Sequence, residues 1–199
     1  MTVGVWKVEE SHECLRSMFQ DFSIYEEGYA RFTSDKRKVE WLAVRAWLKE
    51  LCGEEKSVSY YPSGKPYLTD GSARISFSHT QGYVAVAVHP CKEVAVDIEQ
   101  YGTRVKRVAH KFIRGDEQIP IEPLQEIQAL LLHWSAKETL YKLLDKEGVD
   151  FIRHLQVFPF ELVEEGEFVA CEHLTEQNEC FPVHYHTHPH YVLTYASRP

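Results

Sequence analysis

Residues 93–100 read Glu-Val-Ala-Val-Asp-Ile-Glu-Gln, and this stretch decides how the chain is read. It is an apolar run interrupted by two carboxylates, Asp97 and Glu99, set two residues apart. In an extended strand, residues i and i+2 point to the same face. Asp97 and Glu99 therefore share one face, while Val96 and Ile98 take the other. Two carboxylates side by side repel, and burial makes the repulsion worse. A cation between them removes the conflict, and an oxygen-only pair suits a hard ion such as Mg²⁺. Taken alone, the pattern also describes a plain surface strand, so the rest of the chain has to decide.

The chain has 199 residues, 44% of them hydrophobic, enough for one large or two small packed units. Aromatic residues are plentiful and no tract is of low complexity, which predicts order nearly throughout. No uncharged apolar run approaches the length needed to span a bilayer. The opening Met-Thr-Val-Gly-Val-Trp-Lys-Val has no basic, apolar, cleavable character, and a cytoplasmic protein is expected. Cys14, Cys52, Cys91, Cys171 and Cys180 are odd in number and form no CxxC pair. They predict reduced, structural thiols rather than a disulfide frame or a zinc site.

The net charge of −8 argues against general nucleic-acid binding. The charge is uneven, however: Thr103–Arg114 (TRVKRVAHKFIR) contains Arg104, Lys106, Arg107, Lys111 and Arg114 and no acid. On a helix through Val105–Ile113, Arg104, Arg107, Lys111 and Arg114 fall in one stripe, with Val105, Val108 and Phe112 on the adjacent face. Such a stripe is either a solvated helix face or a docking surface for an acidic partner.

Along the chain, MTVGVWKV reads as a strand, followed by a helical stretch near Glu10–Phe22. Ser34 is placed to cap a helix through KRKVEWLAVRAWLKEL that stops at Gly53. Val58–Tyr61 is strand-like, and Pro62-Ser63-Gly64-Lys65-Pro66 is a loop. ARISFSH and YVAVAVH form a hairpin through Thr80-Gln81-Gly82, and EVAVDIE follows as a third strand. The pattern then restarts after Gln100-Tyr101-Gly102 with the basic helix and a long helix. Pro123 opens that helix and Gly148 ends it. The tail reads as an antiparallel sheet. Each half thus shows helices feeding a β-meander, with a join near Gln100–Thr103.

Four further groups carry chemistry. On the long helix, Glu138 shares a row with Ile127, Leu131 and Trp134, and Lys142 follows one turn later. A carboxylate inside an apolar stripe is costly unless it is paired or holds a metal; an ordinary i,i+4 pair at the stripe's edge is the alternative. Ser76 and Ser78 share one face of the strand that ends in Ser-His79. Hydroxyl and imidazole there can donate to a phosphate, or merely end a hairpin. Gly64-Lys65-Pro66 is either a close backbone approach with one mobile cation or a plain turn. His184, His186, His188 and His190 alternate, which would suit zinc on a continuous strand. Pro189 breaks that continuity, so solvated histidines are expected.

Taken in order, GKP (64–66), SFSH (76–79), VDIE (96–99) and WSAKETLYK (134–142) resemble the Sfp-type 4′-phosphopantetheinyl transferases. Their pattern is GKP, (I/F)SxSH, G(I/V)DIE and WxxKEAxxK, and the likeness spans roughly residues 30 to 145. Ala95 or Val96 stands where glycine is common, and Thr139 replaces the usual alanine. Tyr25-Glu26-Glu27-Gly28 is acidic where relatives often carry a basic pair.

The resemblance implies an α+β fold, a pseudo-dimer of two similar halves that acts as a monomer. Residues 1–101 would bear the nucleotide site and the DxE motif, and residues 102–199 the WxxKExxxK helix and the carrier-docking helix. It implies coenzyme A as substrate and Mg²⁺, or Mn²⁺, held by Asp97, Glu99 and Glu138. The pantetheine arm would pass to a serine of an apo acyl or peptidyl carrier protein, docked on Arg104, Arg107, Lys111 and Arg114. Lys142 would take up charge on the leaving phosphate. Gly64, Lys65, Pro66, Ser78 and His79 would hold the nucleotide, with Arg37 and Arg45 reaching the same ligand. Glu138 is open as base, as metal ligand, or as both. A metal-dependent pyrophosphatase acting on coenzyme A or nucleotides, and a non-catalytic carrier-binding relative, are the rival readings.

Overall fold

The computed structural model describes residues 1–198. The first unit opens with β1 (Thr2–Lys7), α1 (His12–Ser17), α2 (Ser23–Ala30) and α3 (Asp35–Cys52). The helix expected over Glu10–Phe22 is therefore short, and a second one begins where none was expected. Local capping explains this. The Ser11 hydroxyl accepts from the Cys14 N–H at 3.3 Å, and the Asp21 carboxylate accepts from the Ser23 N–H at 2.9 Å. Ser34 precedes α3 as its N-cap, yet its hydroxyl makes no capping bond. Gly53 ends α3 at φ 75°, a left-handed conformation in which glycine meets no Cβ penalty.

Two hairpins follow, β2 (Val58–Tyr60) with β3 (Pro66–Leu68), and β4 (Arg74–Thr80) with β5 (Tyr83–His89). The first sheet has the order β1-β5-β4 and is antiparallel. Strand β5 is buried on both faces, and its alternation sorts side chains by size. Val84, Val86 and Val88 pack with Leu42, Ala43 and Leu48 of α3. Ala85 and Ala87 face the other way, toward Val94, Val96 and Ile98.

Strand β6 (Glu93–Gln100) does not extend this meander. It pairs with the C-terminal strand β10 (Tyr191–Arg198) in a five-stranded antiparallel sheet of order β6-β10-β9-β8-β7. The other strands are β7 (Leu155–Val157), β8 (Glu165–Glu172) and β9 (Cys180–Thr187). The chain is α+β, as expected, and β6, the last strand before the expected join near Gln100–Thr103, lies in the same sheet as the C-terminal strands. The turn between β5 and β6 is organised by His89, whose Nδ1 accepts from the Cys91 and Lys92 N–H groups at 3.1 and 2.8 Å.

Helix α4 (Arg104–Val108) runs into a 3₁₀ turn at Ala109–Lys111, and α5 (Pro123–Leu144) lies across β6 and β10. Pro123 opens α5 as read, while the Glu122 carboxylate caps the Gln125 N–H at 2.8 Å. Its end comes earlier than Gly148: Asp145 turns left-handed at φ 50°, its N–H still bonded to Tyr141 O. Val105 and Phe112 are buried in the α5 core, as their spacing predicts. Arg114, however, leaves the outward stripe. Its guanidinium is bonded to Asp116 at 2.9 Å and to the Ile152 carbonyl at 3.0 Å.

Two expectations about cysteine and histidine meet different outcomes. Cys171 and Cys180 form a disulfide because they stand opposite each other in the β8–β9 register, a pairing that linear spacing could not reveal. Cys14, Cys52 and Cys91 are free thiols. Strand β9 ends at Thr187, so the histidine alternation stops short of Pro189. Among the described residues, no group of three His, Cys, Asp or Glu side chains is arranged to hold a metal. No helix of the described residues is long and apolar enough to cross a membrane.

One buried ion pair secures the connections around α5. Lys137 Nζ lies 2.8 Å from Glu117 Oε1, with both side chains 0% exposed. Lys137 also donates to Phe112 O at 2.5 Å and Phe151 O at 3.2 Å. Glu117 accepts in turn from the N–H groups of Arg114 and Val157, each at 2.8 Å. Lys137→Ala strands a buried carboxylate, and a loss of about 3–5 kcal/mol is expected in urea unfolding. A loss no larger than that of an exposed pair, about 1 kcal/mol or less, would show the pair to be idle.

Candidate active site

Strand β4 runs beside β6 in the same direction, joined by side chains instead of a backbone ladder. Ser76, Ser78 and Thr80 occupy alternate positions and present three hydroxyls to β6. Ser76 Oγ accepts from the Val96 N–H at 3.1 Å, and Thr80 Oγ1 accepts from the Gln100 N–H at 3.3 Å. Between them, Ser78 Oγ donates to Asp97 Oδ1 at 2.9 Å. Ser78, expected at the nucleotide, here directs its hydroxyl at Asp97. Its side chain is buried, and its hydroxyl is spent on the strand carboxylate.

The predicted carboxylate pair faces α5. Lys142 Nζ reaches Asp97 Oδ1 at 2.8 Å and Val96 O at 2.9 Å. The Trp134 indole N–H donates to Glu99 Oε1 at 2.7 Å. Asp97 is 4% exposed, and its Oδ2 is a buried oxygen with no hydrogen-bond partner. Burial, reinforced by the charges of Asp97 and Glu138, pushes the Glu99 carboxyl up to about 7. Burial and then Asp97 push Glu138 up to about 6. Below them, Thr194 stands opposite Asp97 in the β6–β10 register. Its Oγ1 meets the Ser135 and Thr139 hydroxyls at 2.8 and 2.7 Å, so α5 is seated on the sheet by a satisfied buried network. Thr139 belongs to that network.

The donors of Asp97, Glu99 and Glu138 are chemically what a hard divalent cation takes, although as they stand the three side chains are not gathered into a closed metal site. All are carboxylate oxygens, one is orphaned, and the mutual repulsion of three acids has a single nearby cation, Lys142, to offset it.

The expected ligand-binding residues line two adjoining hollows. One, of about 440 Å³, lies between the units, with Gly64, Lys65, Ser76 and Phe77 on one side and Tyr141 and Lys142 on the other. The second, of about 230 Å³, holds Arg37, Glu40, Trp41, Arg45, Tyr60 and His79. Gly64, Pro66 and Phe77 belong to both. Gly64 has φ 88°, which lets the loop fold tightly against the cleft.

Cations here are held by acids. Lys65 is 2.6 Å from Glu93, which also takes Arg74 at 2.8 Å. Arg37 lies 3.2 Å from Glu40 and 3.3 Å from His79 Nε2. Burial lowers the His79 pKa, and Arg37 and Lys142 add to the shift. Arg45 differs: it is buried, lies 3.4 Å from the Trp41 ring centroid and donates to Tyr60 OH at 3.1 Å. Among the described residues it has no acidic partner.

Asp97, Glu99, Glu138 and Lys142 are thus brought together, as are Gly64, Lys65 and Pro66, and Arg37, Arg45 and His79. The sequence reading missed the part played by Trp134. Its place in the same helical row as Glu138 was the available signal, since that row is the one facing β6.

Residues 93–196, just over half of the chain, match the family model for the 4′-phosphopantetheinyl transferase superfamily. The chain belongs to that superfamily. The match runs from β6 into β10 and contains Asp97, Glu99, Glu138 and Lys142; the Gly64-Lys65-Pro66 loop and His79 precede it. A search of curated proteins returns no match. Membership gives the protein a transferase chemistry, the movement of a 4′-phosphopantetheinyl group.

The raised acids carry a pH signature in the metal-free protein. Unfolded glutamate titrates near ~4.3, whereas folded Glu138 and Glu99 hold their protons up to about 6 and about 7. Their contribution to stability is fullest below the unfolded value and is lost as pH rises through the folded values. With chelator present, the melting temperature should therefore fall from pH 5 to 7.5, and Glu99→Gln should flatten the decline. An identical slope in wild type and Glu99→Gln would remove Glu99 as its source.

Proposed function

We propose that the protein transfers the 4′-phosphopantetheine arm of coenzyme A to a serine of an apo carrier protein and releases adenosine 3′,5′-bisphosphate. The observation that carries this reading is the buried, unpartnered Asp97 Oδ2 among three acids, beside a cleft to which Lys142 belongs. Asp97, Glu99 and Glu138 would hold Mg²⁺ or Mn²⁺, which when bound supplies positive charge to the pyrophosphate oxygens.

The chain's own residues do the rest. Arg37, Arg45 and His79 bind the nucleotide phosphates in the smaller hollow, and Lys65 holds the pyrophosphate from the larger one. The larger cleft takes the pantetheine arm. Glu138, with a pKa of about 6, is matched to receive the proton of the carrier serine near neutral pH. The serine oxygen forms a bond to the phosphorus bearing the pantetheine arm, and the bond from that phosphorus to the bridging oxygen breaks. Lys142 stabilises the charge gathering on the departing phosphate. The Gly64–Pro66 loop, β4 and α5 of the same chain line the cleft, in keeping with action as a monomer.

The docking surface narrows to Arg104, Arg107 and Lys111, which are exposed and, among the described residues, form no ion pair. Lys106 is instead paired with Glu126, and Arg114 with Asp116. Carrier proteins of this class are acidic, and a protein of net charge −8 needs a local positive patch to attract them.

Incubation with coenzyme A, Mg²⁺ and an apo acyl carrier protein should yield the pantetheine adduct by mass spectrometry. Asp97→Ala should abolish it while circular dichroism stays unchanged. Release of the bisphosphate without carrier would point instead to a pyrophosphatase. Reversing Arg107 and Lys111 to Glu should slow modification at subsaturating carrier, with the deficit shrinking as salt rises. Unchanged low-salt kinetics would move the docking surface elsewhere.

A further inference from the structure

The two strand carboxylates share a feature that the transfer chemistry leaves unexplained. Each has one oxygen engaged by a donor from another element. On Asp97 it is Oδ1, which takes Ser78 Oγ from β4 at 2.9 Å and Lys142 Nζ from α5 at 2.8 Å. On Glu99 it is Oε1, which takes the Trp134 Nε1–H from α5 at 2.7 Å. Asp97 is held from two elements and Glu99 by one indole N–H, and each hold restrains a terminal torsion that is otherwise soft and two-fold. Asp97 Oδ2 is left buried without a partner. A buried orphan oxygen costs free energy in the metal-free fold, and that cost persists because the opposite oxygen is held.

We infer that Ser78 and Trp134 are positioning residues that present Asp97 Oδ2 and the free oxygen of Glu99 to the divalent cation. The inference rests on the proposed metal role of these carboxylates and adds a specific duty to each donor. Ser78 is a neutral donor, so it holds Asp97 without competing for the site as a second charge would. Its hydroxyl neighbours in the row, Ser76 and Thr80, accept from backbone N–H groups of β6 and do not touch the carboxylates. The row therefore divides its labour: the outer hydroxyls fix the strand, and the middle one fixes the ligand. Trp134 acts on Glu99 through its indole N–H, while its ring packs between Phe112 and Phe151 at centroid distances of 5.2 and 5.4 Å. Ring packing and hydrogen bonding are thus separable by substitution.

Partners that orient metal ligands typically contribute ~10–100-fold to metal affinity. Mn²⁺ would be titrated by electron paramagnetic resonance into the protein with saturating coenzyme A and no carrier, so no turnover enters the readout. Ser78→Ala and Trp134→Phe should each weaken Mn²⁺ binding about tenfold or more. Ser78→Thr, which keeps the hydroxyl, should restore most of it. Thr80→Val removes a β4–β6 hydrogen bond without touching Asp97 and should lower the melting temperature while leaving Mn²⁺ affinity within about twofold of wild type. Urea unfolding confirms that each variant is folded during titration.

If Ser78→Ala and Trp134→Phe bind Mn²⁺ as wild type does while Asp97→Asn does not, the positioning roles are wrong and the metal site stands. Should Thr80→Val weaken Mn²⁺ as much as Ser78→Ala, Ser78 acts through strand packing, and its positioning role is overturned. Absence of protein-dependent Mn²⁺ binding in wild type would overturn the metal reading and this inference together.

Discussion

The site depends on how β4 and β6 lie together. No backbone ladder joins them; the hydroxyls of Ser76, Ser78 and Thr80 do. Serine and threonine are short enough to let the strands approach and polar enough to satisfy edge amides that would otherwise be buried without partners. On the adjoining face, Ala85 and Ala87 of β5 leave room for Val94, Val96 and Ile98. The boundary between the two units is consequently narrow and polar at the place where Asp97 emerges, and apolar behind it. Every later feature of the site uses this arrangement. It aims Asp97 at α5, puts Lys142 within reach, and leaves the cleft open between the two units.

A fold that gathers three carboxylates around one lysine is poised rather than relaxed. Burial and mutual repulsion keep Glu99 and Glu138 protonated well above the ordinary carboxylate range. The surrounding network is built to tolerate this: Ser135, Thr139 and Thr194 satisfy one another under the acids, and the Lys137–Glu117 pair anchors α5 from the far side. The helix therefore stays in register even though its functional face is electrostatically strained. Stability is supplied on one side of α5 and spent on the other.

The basic residues of the two hollows follow a similar economy. The acidic protein does not leave its cleft cations bare: Glu93 holds Lys65 and Arg74, and Glu40 holds Arg37 beside His79. Under the proposed function, a phosphate would exchange these contacts for its own, since it offers more acceptor oxygens to the same donors. Arg45 is the exception, buried on Trp41 with no acid beside it. Its desolvated guanidinium makes it the smaller hollow's fixed positive charge.

Much of this was legible in the sequence because it rests on local periodicity. Period-two alternation in 93–100 put Asp97 and Glu99 on one face. Helical spacing put Glu138 and Lys142 in neighbouring turns, and Pro123 and Gly53 marked helix ends. The motifs in their order identified the family and the residues that meet at the site. Tertiary structure decided what local pattern cannot encode. It assigned β6 to the second sheet, because strand pairing depends on which edge is free rather than on which strand comes next. It turned Ser78 inward to Asp97, since the direction of a side chain between two units is set by the neighbour across the gap. It joined Cys171 to Cys180 through strand register, tied Arg114 down to the Ile152 carbonyl, and gave Trp134 its hold on Glu99. Each of these is a contact between residues distant in the chain, or across a strand register, and only packing brings such groups within a few ångströms.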